Sequence, residues 1–168
     1  GFCNPTLIGV TFSGNIANNY GGGMLISWSS HPTLRNSILW GNSPQEIYFW
    51  ESSYTNSITI TYSDIEGGEA GIVTNDIGKV FWGDGNIDAD PLFCDAESGD
   101  FTLVENSPCI GTGQDGANMG ALDVGCEEPL SIVDNIIPNT YTLSSSPNPF
   151  NPIATISFSI PELGFTTI

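Results

Sequence analysis

The run Asp84-Gly85-Asn86-Ile87-Asp88-Ala89-Asp90 carries an oxygen-bearing side chain at every second position, and Asp95 is the twelfth residue counted from Asp84. A calcium loop presents its ligands in that rhythm, so Asp84, Asn86, Asp88 and Asp90 are the candidate metal residues and calcium is the one cofactor suggested. Ala89 stands where such a loop needs glycine, and Pro91 interrupts it. Asp64 and Glu66, in the turn-like run YSDIEGG, are candidates for acid–base work. Ser–His–Asp catalysis would rest on His31, the single histidine, whose place before Pro32 reads as a turn. Trp28, Trp40, Trp50 and Trp82 could stack on sugar rings. Trp40, and Trp50 with its neighbour Tyr48, lead that group; Phe49 and Tyr54 lie close by. Cys3, Cys94, Cys109 and Cys126 are separated by 91, 15 and 17 residues, which matches no zinc spacing. The last three could supply one disulfide or remain buried thiols.

Positioning such groups requires a scaffold, and composition restricts its kind. The chain of 168 residues has 20 glycines, 11 prolines and 19 isoleucines but only 7 alanines. That mixture favours short strands and tight turns over helices. The formal charge is −17, and Arg35 and Lys79 are the only basic residues besides His31. No basic patch can form, so nucleic acid and anionic membranes are not expected partners. No apolar run reaches the roughly 18–20 residues of a membrane span. The acidic surface reads as solvation of an exported monomer, and the start at Gly1 reads as a cut within a longer protein.

Self-comparison supplies the architecture. Residues 5–15, PTLIGVTFSGN, align with residues 32–42, PTLRNSILWGN, at an offset of 27. A third copy follows at an offset of 26, placing Ile60, Ser63, Ile65 and Gly67 on Leu34, Ser37, Leu39 and Gly41. Small or apolar positions within each copy are spaced by three and then two: Leu7, Val10, Phe12; Leu34, Ser37, Leu39; Ile60, Ser63, Ile65. A flat strand would give two and two. The extra residue is Gly9 in one copy and Asn36 in the next, types that tolerate a left-handed backbone. A strand that turns a corner and keeps the same face inward has this pattern. Tyr62, at the same place in the third copy, is a poorer corner residue. A glycine-rich turn, Asn18–Gly23, then leads to a further strand at Met24-Leu25-Ile26. The expectation is a parallel solenoid with Leu7, Leu34 and Ile60 in one interior column.

The runs PTLRNSILWGN (32–42), ITYSDIEGG (60–68), GNIDADPLF (85–93), GDFTLVENSPCIGTG (99–113) and MGALDVG (119–125) resemble the last coils and closing cap of bacterial right-handed parallel β-helix repeat proteins, the pectate-lyase-like solenoids of secreted and surface proteins. The resemblance covers residues 1–126. It implies an all-β right-handed parallel β-helix whose C-terminal cap contains Asp90–Phe93 and Ser107–Gly111. It also accounts for GNIDADPLF as cap structure rather than a calcium loop. Cys94 and Cys109 flank the hairpin-like stretch Gly99–Leu103 and are the first choice for a disulfide. Such solenoids often host polysaccharide lyases and hydrolases. Arg35 would be the base of a lyase here, but an outward structural arginine is the simpler reading. One Arg and one Lys cannot both clamp a polyuronate and remove a proton. Trp40 falls at an outward position beside inward Leu39, where it would serve as a stacking platform or pack against the Tyr48–Trp50 loop.

Residues 127–140 carry no repeat and read as a linker. In residues 141–168, Ile156, Phe158 and Ile160 alternate with Thr155, Ser157 and Ser159, the pattern of a half-buried strand whose sheet this chain lacks. The preceding PNPFNP arm (Pro147, Asn148, Pro149, Phe150, Asn151, Pro152) resembles the start of the immunoglobulin-like sorting domain of type IX secretion cargo. It equally resembles the flagellar hook-cap type module. The segment is thus an incomplete β-sandwich, with secretion machinery as the implied partner and a secreted or bacterial cell-surface location. The expected function is non-catalytic: structural display or polysaccharide binding, with an export or anchoring module. The alternative is part of a polysaccharide lyase or glycoside hydrolase whose catalytic residues lie on coils upstream.

Overall fold

The computed structural model describes residues 3–50 and 55–127, together with the backbone of two strands at 142–146 and 155–159. The chain forms two compact units, Gly1–Glu128 and Pro129–Ile168.

The first unit is a parallel β-solenoid. Its first sheet joins β1 (Thr6–Ile8), β4 (Thr33–Arg35), β7 (Asn56–Thr61) and β9 (Gly78–Trp82), one strand from each of four coils. The second joins β2 (Thr11–Ser13), β5 (Ile38–Trp40) and β8 (Asp64–Ile65), and a bridge from Asp64 to Ile87 extends it. The third pairs β3 (Met24–Ile26) with β6 (Ile47–Phe49), and Tyr48 bridges onward to Val73. All these pairings are parallel, and the register is the one the repeat predicts. Leu7 pairs with Leu34 and Leu34 with Ile60, while Phe12 pairs with Leu39 and Leu39 with Ile65. A fourth coil adds Trp82 opposite Ile60. Leu34, Leu39, Ile47, Phe49, Ile58, Ile60 and Ile65 are wholly buried in one interior cluster. At roughly 1.5–3 kcal/mol per large apolar side chain, this cluster is the main source of stability.

The corner between the first and second sheets repeats on each coil. Gly9, Asn36, Tyr62 and Gly85 hold φ of 61°, 50°, 49° and 73°. The residue after each corner is pinned to the next coil: Val10 N donates to Ser37 Oγ (3.2 Å), Ser37 N to Ser63 Oγ (3.2 Å) and Ser63 N to Asn86 Oδ1 (3.0 Å). Tyr62 serves as a corner despite its type because its ring lies against Gly85, where any Cβ would collide with it.

After the fourth coil the chain forms a small mixed sheet. Here β10 (Phe93–Asp95) is antiparallel to β11 (Asp100–Val104), and β11 is parallel to β12 (Val124–Cys126). The segment between β11 and β12 is not confined to the end of the coils, as the cap expectation had it. It runs back along the outer face of the second sheet. Cys109 Sγ donates to Asp64 Oδ2 on the third coil (3.2 Å), Gln114 N to Asn36 Oδ1 on the second (2.8 Å) and Ala121 N to Thr11 Oγ1 on the first (3.0 Å). The reason is the outward column of that sheet. Ile38 is apolar and needs cover, and it packs with Leu103, Cys109 and Met119 beneath this segment.

The same path corrects the disulfide. Cys94 is bonded to Cys126, with Cα atoms 6.1 Å apart, and not to Cys109, which is a buried free thiol. β10 and β12 flank β11 on either side, the register shifts at Cys94 and again beside Cys126, and the bridge closes there, whereas Cys109 has left along the flank. In the second unit, β13 (Thr142–Ser146) and β14 (Thr155–Ser159) form an antiparallel pair from Thr142↔Ser159 to Ser146↔Thr155. The strand at 155–159, expected to lack its sheet in this chain, therefore has a partner here, the Ser/Thr-rich stretch before Pro147. PNPFNP and most of the proposed linker lie outside the described residues.

Gly85→Ala should destabilise the solenoid by about 2–3 kcal/mol, because it adds left-handed strain and a clash with the Tyr62 ring. Gly14→Ala, at φ 66° with open space around the new Cβ, should cost only about 1 kcal/mol. Urea denaturation of the two variants checks the difference, and equal losses would remove the Tyr62–Gly85 contact from the account.

Candidate functional site

Trp40 is the last residue of β5, held between β2 and β8, and it points out of the second sheet beside inward Leu39. Opposite it stands the closing hairpin of β10 and β11, where Phe93 and Phe101 meet edge to face with centroids 5.4 Å apart. Between them lies an open groove of about 540 Å³, with Ser13, Gly14, Gly41 and Leu92 along it and Asp90 and Glu97 on its walls. Trp40 therefore does not pack on the Tyr48–Trp50 loop. Its indole forms part of a channel with aromatic walls and carboxylate edges. Phe93 and Phe101 were missed as site residues because only the tertiary placement of the β10–β11 hairpin brings them to the groove that Trp40 lines.

Tyr48 and Trp50 sit on a different face. Tyr48 is on β6 of the third sheet and stacks on Tyr20 with centroids 4.5 Å apart; Trp50 meets the same Tyr20 edge to face at 5.2 Å. Tyr20 and Trp50 remain 41% and 44% exposed, and Leu25, paired with Tyr48, is also exposed. The structure thus brings Tyr48 and Trp50 together but separates both from Trp40. Trp82 is partly buried against the core, and Tyr54 lies outside the described residues.

The oxygens of the calcium-like run are engaged with the backbone. Asn86 Oδ1 accepts from Ser63 N, Asp88 Oδ1 from Gly67 N (3.0 Å) and Asp90 Oδ1 from Leu92 N (2.9 Å). Asp84 contributes its backbone carbonyl, which accepts from Tyr62 N (2.9 Å). Among the described residues, no three His, Cys, Asp or Glu side chains converge as a metal-holding group.

Asp64 and Glu66 are not brought together as an acid–base pair. Asp64 is wholly buried beneath the closing segment, where it also accepts from Ala89 N (3.2 Å). Burial pushes its carboxyl up to about 6; the bonds from Ala89 and Cys109 oppose that, and the charges of Asp88 and Asp90 add to it. Burial, and then the Asp64 charge, push the Cys109 thiol far above its ordinary range. Glu66 is exposed, and its Oε2 accepts from Gly41 N (2.7 Å). Its partner is Glu46, which the sequence reading did not single out. Glu46 is 5% exposed and accepts from Asn42 N (2.7 Å) and Asn42 Nδ2 (2.5 Å). Burial first, and then Glu66, raise the Glu46 carboxyl to about 7 against those two bonds.

Arg35 follows inward Leu34 on β4, and it is half-buried because its Nη1 donates to Gln114 Oε1 (3.0 Å), clasping the closing segment. His31 is a rung between coils: its N donates to Asn4 Oδ1 (2.8 Å) and its Nδ1 shares a hydrogen bond with Ser57 Oγ (2.8 Å). Among the described residues, no helix is long and apolar enough to cross a membrane.

Fold and site together define a parallel β-solenoid with aromatic surfaces on two flanks. Comparison of the chain with protein families, with curated proteins and with solved structures finds no match.

Asp64 and Glu46 both titrate higher in the folded chain than in the unfolded one. Their stabilising contribution is complete at acid pH, below the unfolded carboxyl range, and is lost as pH rises through 6 and 7. Stability should therefore fall by about 2–4 kcal/mol between pH 5 and pH 8. Asp64→Asn should flatten part of that slope. Thermal melts of both proteins across this range provide the check, and a rise in melting temperature toward pH 8 would refute the assignment.

Proposed function

We propose that this chain is a carbohydrate-binding part of an exported β-helix protein, with the Trp40 groove as its sugar platform. The observation that carries the reading is the groove itself: three aromatic side chains around one open channel, with carboxylates placed to accept from hydroxyl or amino groups. Pyranose rings offer an apolar face to an aromatic ring and a polar rim to such acceptors. Tyr20, Tyr48 and Trp50 form a second, more exposed aromatic surface on the third sheet. The Cys94–Cys126 bridge supports export, because disulfides persist in oxidising compartments. The resemblance of PNPFNP to secretion sorting modules supports the second unit as the export or anchoring element, delivering the solenoid to the cell surface or medium.

Trp40→Ala should weaken retention on an immobilised polysaccharide by about tenfold, the loss of roughly 1–2 kcal/mol of stacking. Affinity electrophoresis against a panel of polysaccharides measures it. Retention carried instead by the third sheet would be lost in Trp50→Ala and kept in Trp40→Ala. In the native host, deletion from Tyr141 onward should abolish export or surface retention, read by fractionation; unchanged export would make the second unit an ordinary accessory domain.

A further inference from the structure

The Trp40 groove has charge of one sign along its length. Asp90 and Glu97 line it, and both are exposed. Glu66 follows Ile65 as Trp40 follows Leu39, and those two leucine and isoleucine residues are paired. Glu66 therefore continues the outward column of Trp40 on the next coil. Among the described residues, no cation answers these groups. The two basic side chains besides His31 are used elsewhere: Arg35 donates to Gln114, and Lys79 lies over the Phe81 ring at 4.7 Å. A ligand entering the groove thus meets aromatic rings, whose faces attract cations, and carboxylates that do the same.

Those two features rank the sugars. A uronate polymer would bring its own carboxylates against the two that line the groove and a chain of net charge −17. A neutral glycan would gain stacking and offer the acidic edges hydroxyl donors, but would leave their charge unanswered. An amino sugar satisfies both, with its ring face on an aromatic platform and its ammonium group against a carboxylate. We infer that the Trp40 groove takes a glycan bearing free amino groups, of the glucosamine-polymer class. The inference rests on the carbohydrate-binding reading above and adds the charge of the ligand.

The test titrates the full chain with four probes: a β-1,4-glucosamine oligosaccharide, its N-acetylated counterpart, a neutral β-1,4-glucose oligosaccharide of equal length, and an oligolysine of equal charge. The free-amine oligosaccharide should bind about tenfold or more tightly than the acetylated and neutral sugars. Glu97→Gln should weaken the free-amine sugar about threefold or more and leave the neutral sugar unchanged. Glu69→Gln, in the short turn Glu69–Gly71 and outside the groove lining, should change neither. Neutral or acetylated sugar binding as tightly as the amine would overturn the inference and leave the carbohydrate reading standing. Binding of none of the sugars would remove both. Equal binding of oligolysine, or equal effects of Glu69→Gln and Glu97→Gln, would show general attraction of polycations to an acidic surface, and the glycan assignment would fall.

Discussion

Where each coil turns from its first sheet into its second, the backbone leaves one ladder before joining the next. The N–H just past that corner faces a part of the following coil where no strand carbonyl stands ready. The side chains of Ser37, Ser63 and Asn86 accept these donors in turn. Ser37 and Ser63 are wholly buried, so an unmade bond here would cost about 1–3 kcal/mol at each level. Their hydroxyls in turn donate to the carbonyls of Arg35 and Thr61 (2.7 and 2.9 Å), closing each rung on its own coil. This column fixes the register of the solenoid. A slip of one residue would place Ile38 or Asp64 under the donor and turn the interior face of the strand outward.

The corner leaves marks in the sequence, which is why the solenoid was legible. It forces a spacing of three and then two, and it calls for a residue that accepts positive φ. Gly9 and Asn36 meet that requirement by type. Tyr62 meets it through Gly85, one coil away, and local sequence does not reveal that the glycine lies under its ring. The fourth coil hid for a related reason. Trp82 takes the place of an aliphatic residue in the Leu7–Leu34–Ile60 column, and Asn86 replaces serine at the rung. The disulfide was not legible because it depends on the excursion of the closing segment along the flank before Cys126 returns beside β11. Thr142–Ser146 carries no alternation of apolar and polar residues, so nothing marked it as the partner of 155–159.

A chain with 19 acidic residues and two Lys or Arg cannot balance its carboxylates by ion pairing. Backbone donors take that role. Glu66 accepts from Gly41, Asp88 from Gly67, Asp90 from Leu92, Asp95 from Ser98 and Asp100 from Thr102. Within the calcium-like rhythm at 84–90, this is the role of Asn86 and Asp88. Residues two apart in extended chain share a side, and oxygen-bearing side chains at that spacing can each serve a donor on the coil before. Asn86 serves Ser63, and Asp88 serves Gly67. Spacing alone could not separate a ring of ligands from a set of rungs, because both need oxygen at alternate positions.

Interior columns leave little room for function, so recognition moves to the flanks, where the outward column of the second sheet alternates between structural and solvent-facing duties. Ile38 and Asp64 lie under the closing segment, while Trp40 and Glu66 stay accessible two residues further on. Trp40 is paired with Ser13 on one side, and its neighbour Leu39 with Ile65 on the other, so its position is set by the same register that the corner rungs impose. The facing wall has a different origin. Phe93 and Phe101 belong to the hairpin of β10 and β11, whose small sheet is tied through Cys94 and Cys126. One side of the groove thus inherits the rigidity of the solenoid, and the other that of a bridged hairpin. The width between them depends on how the hairpin is secured, whereas the platform at Trp40 does not.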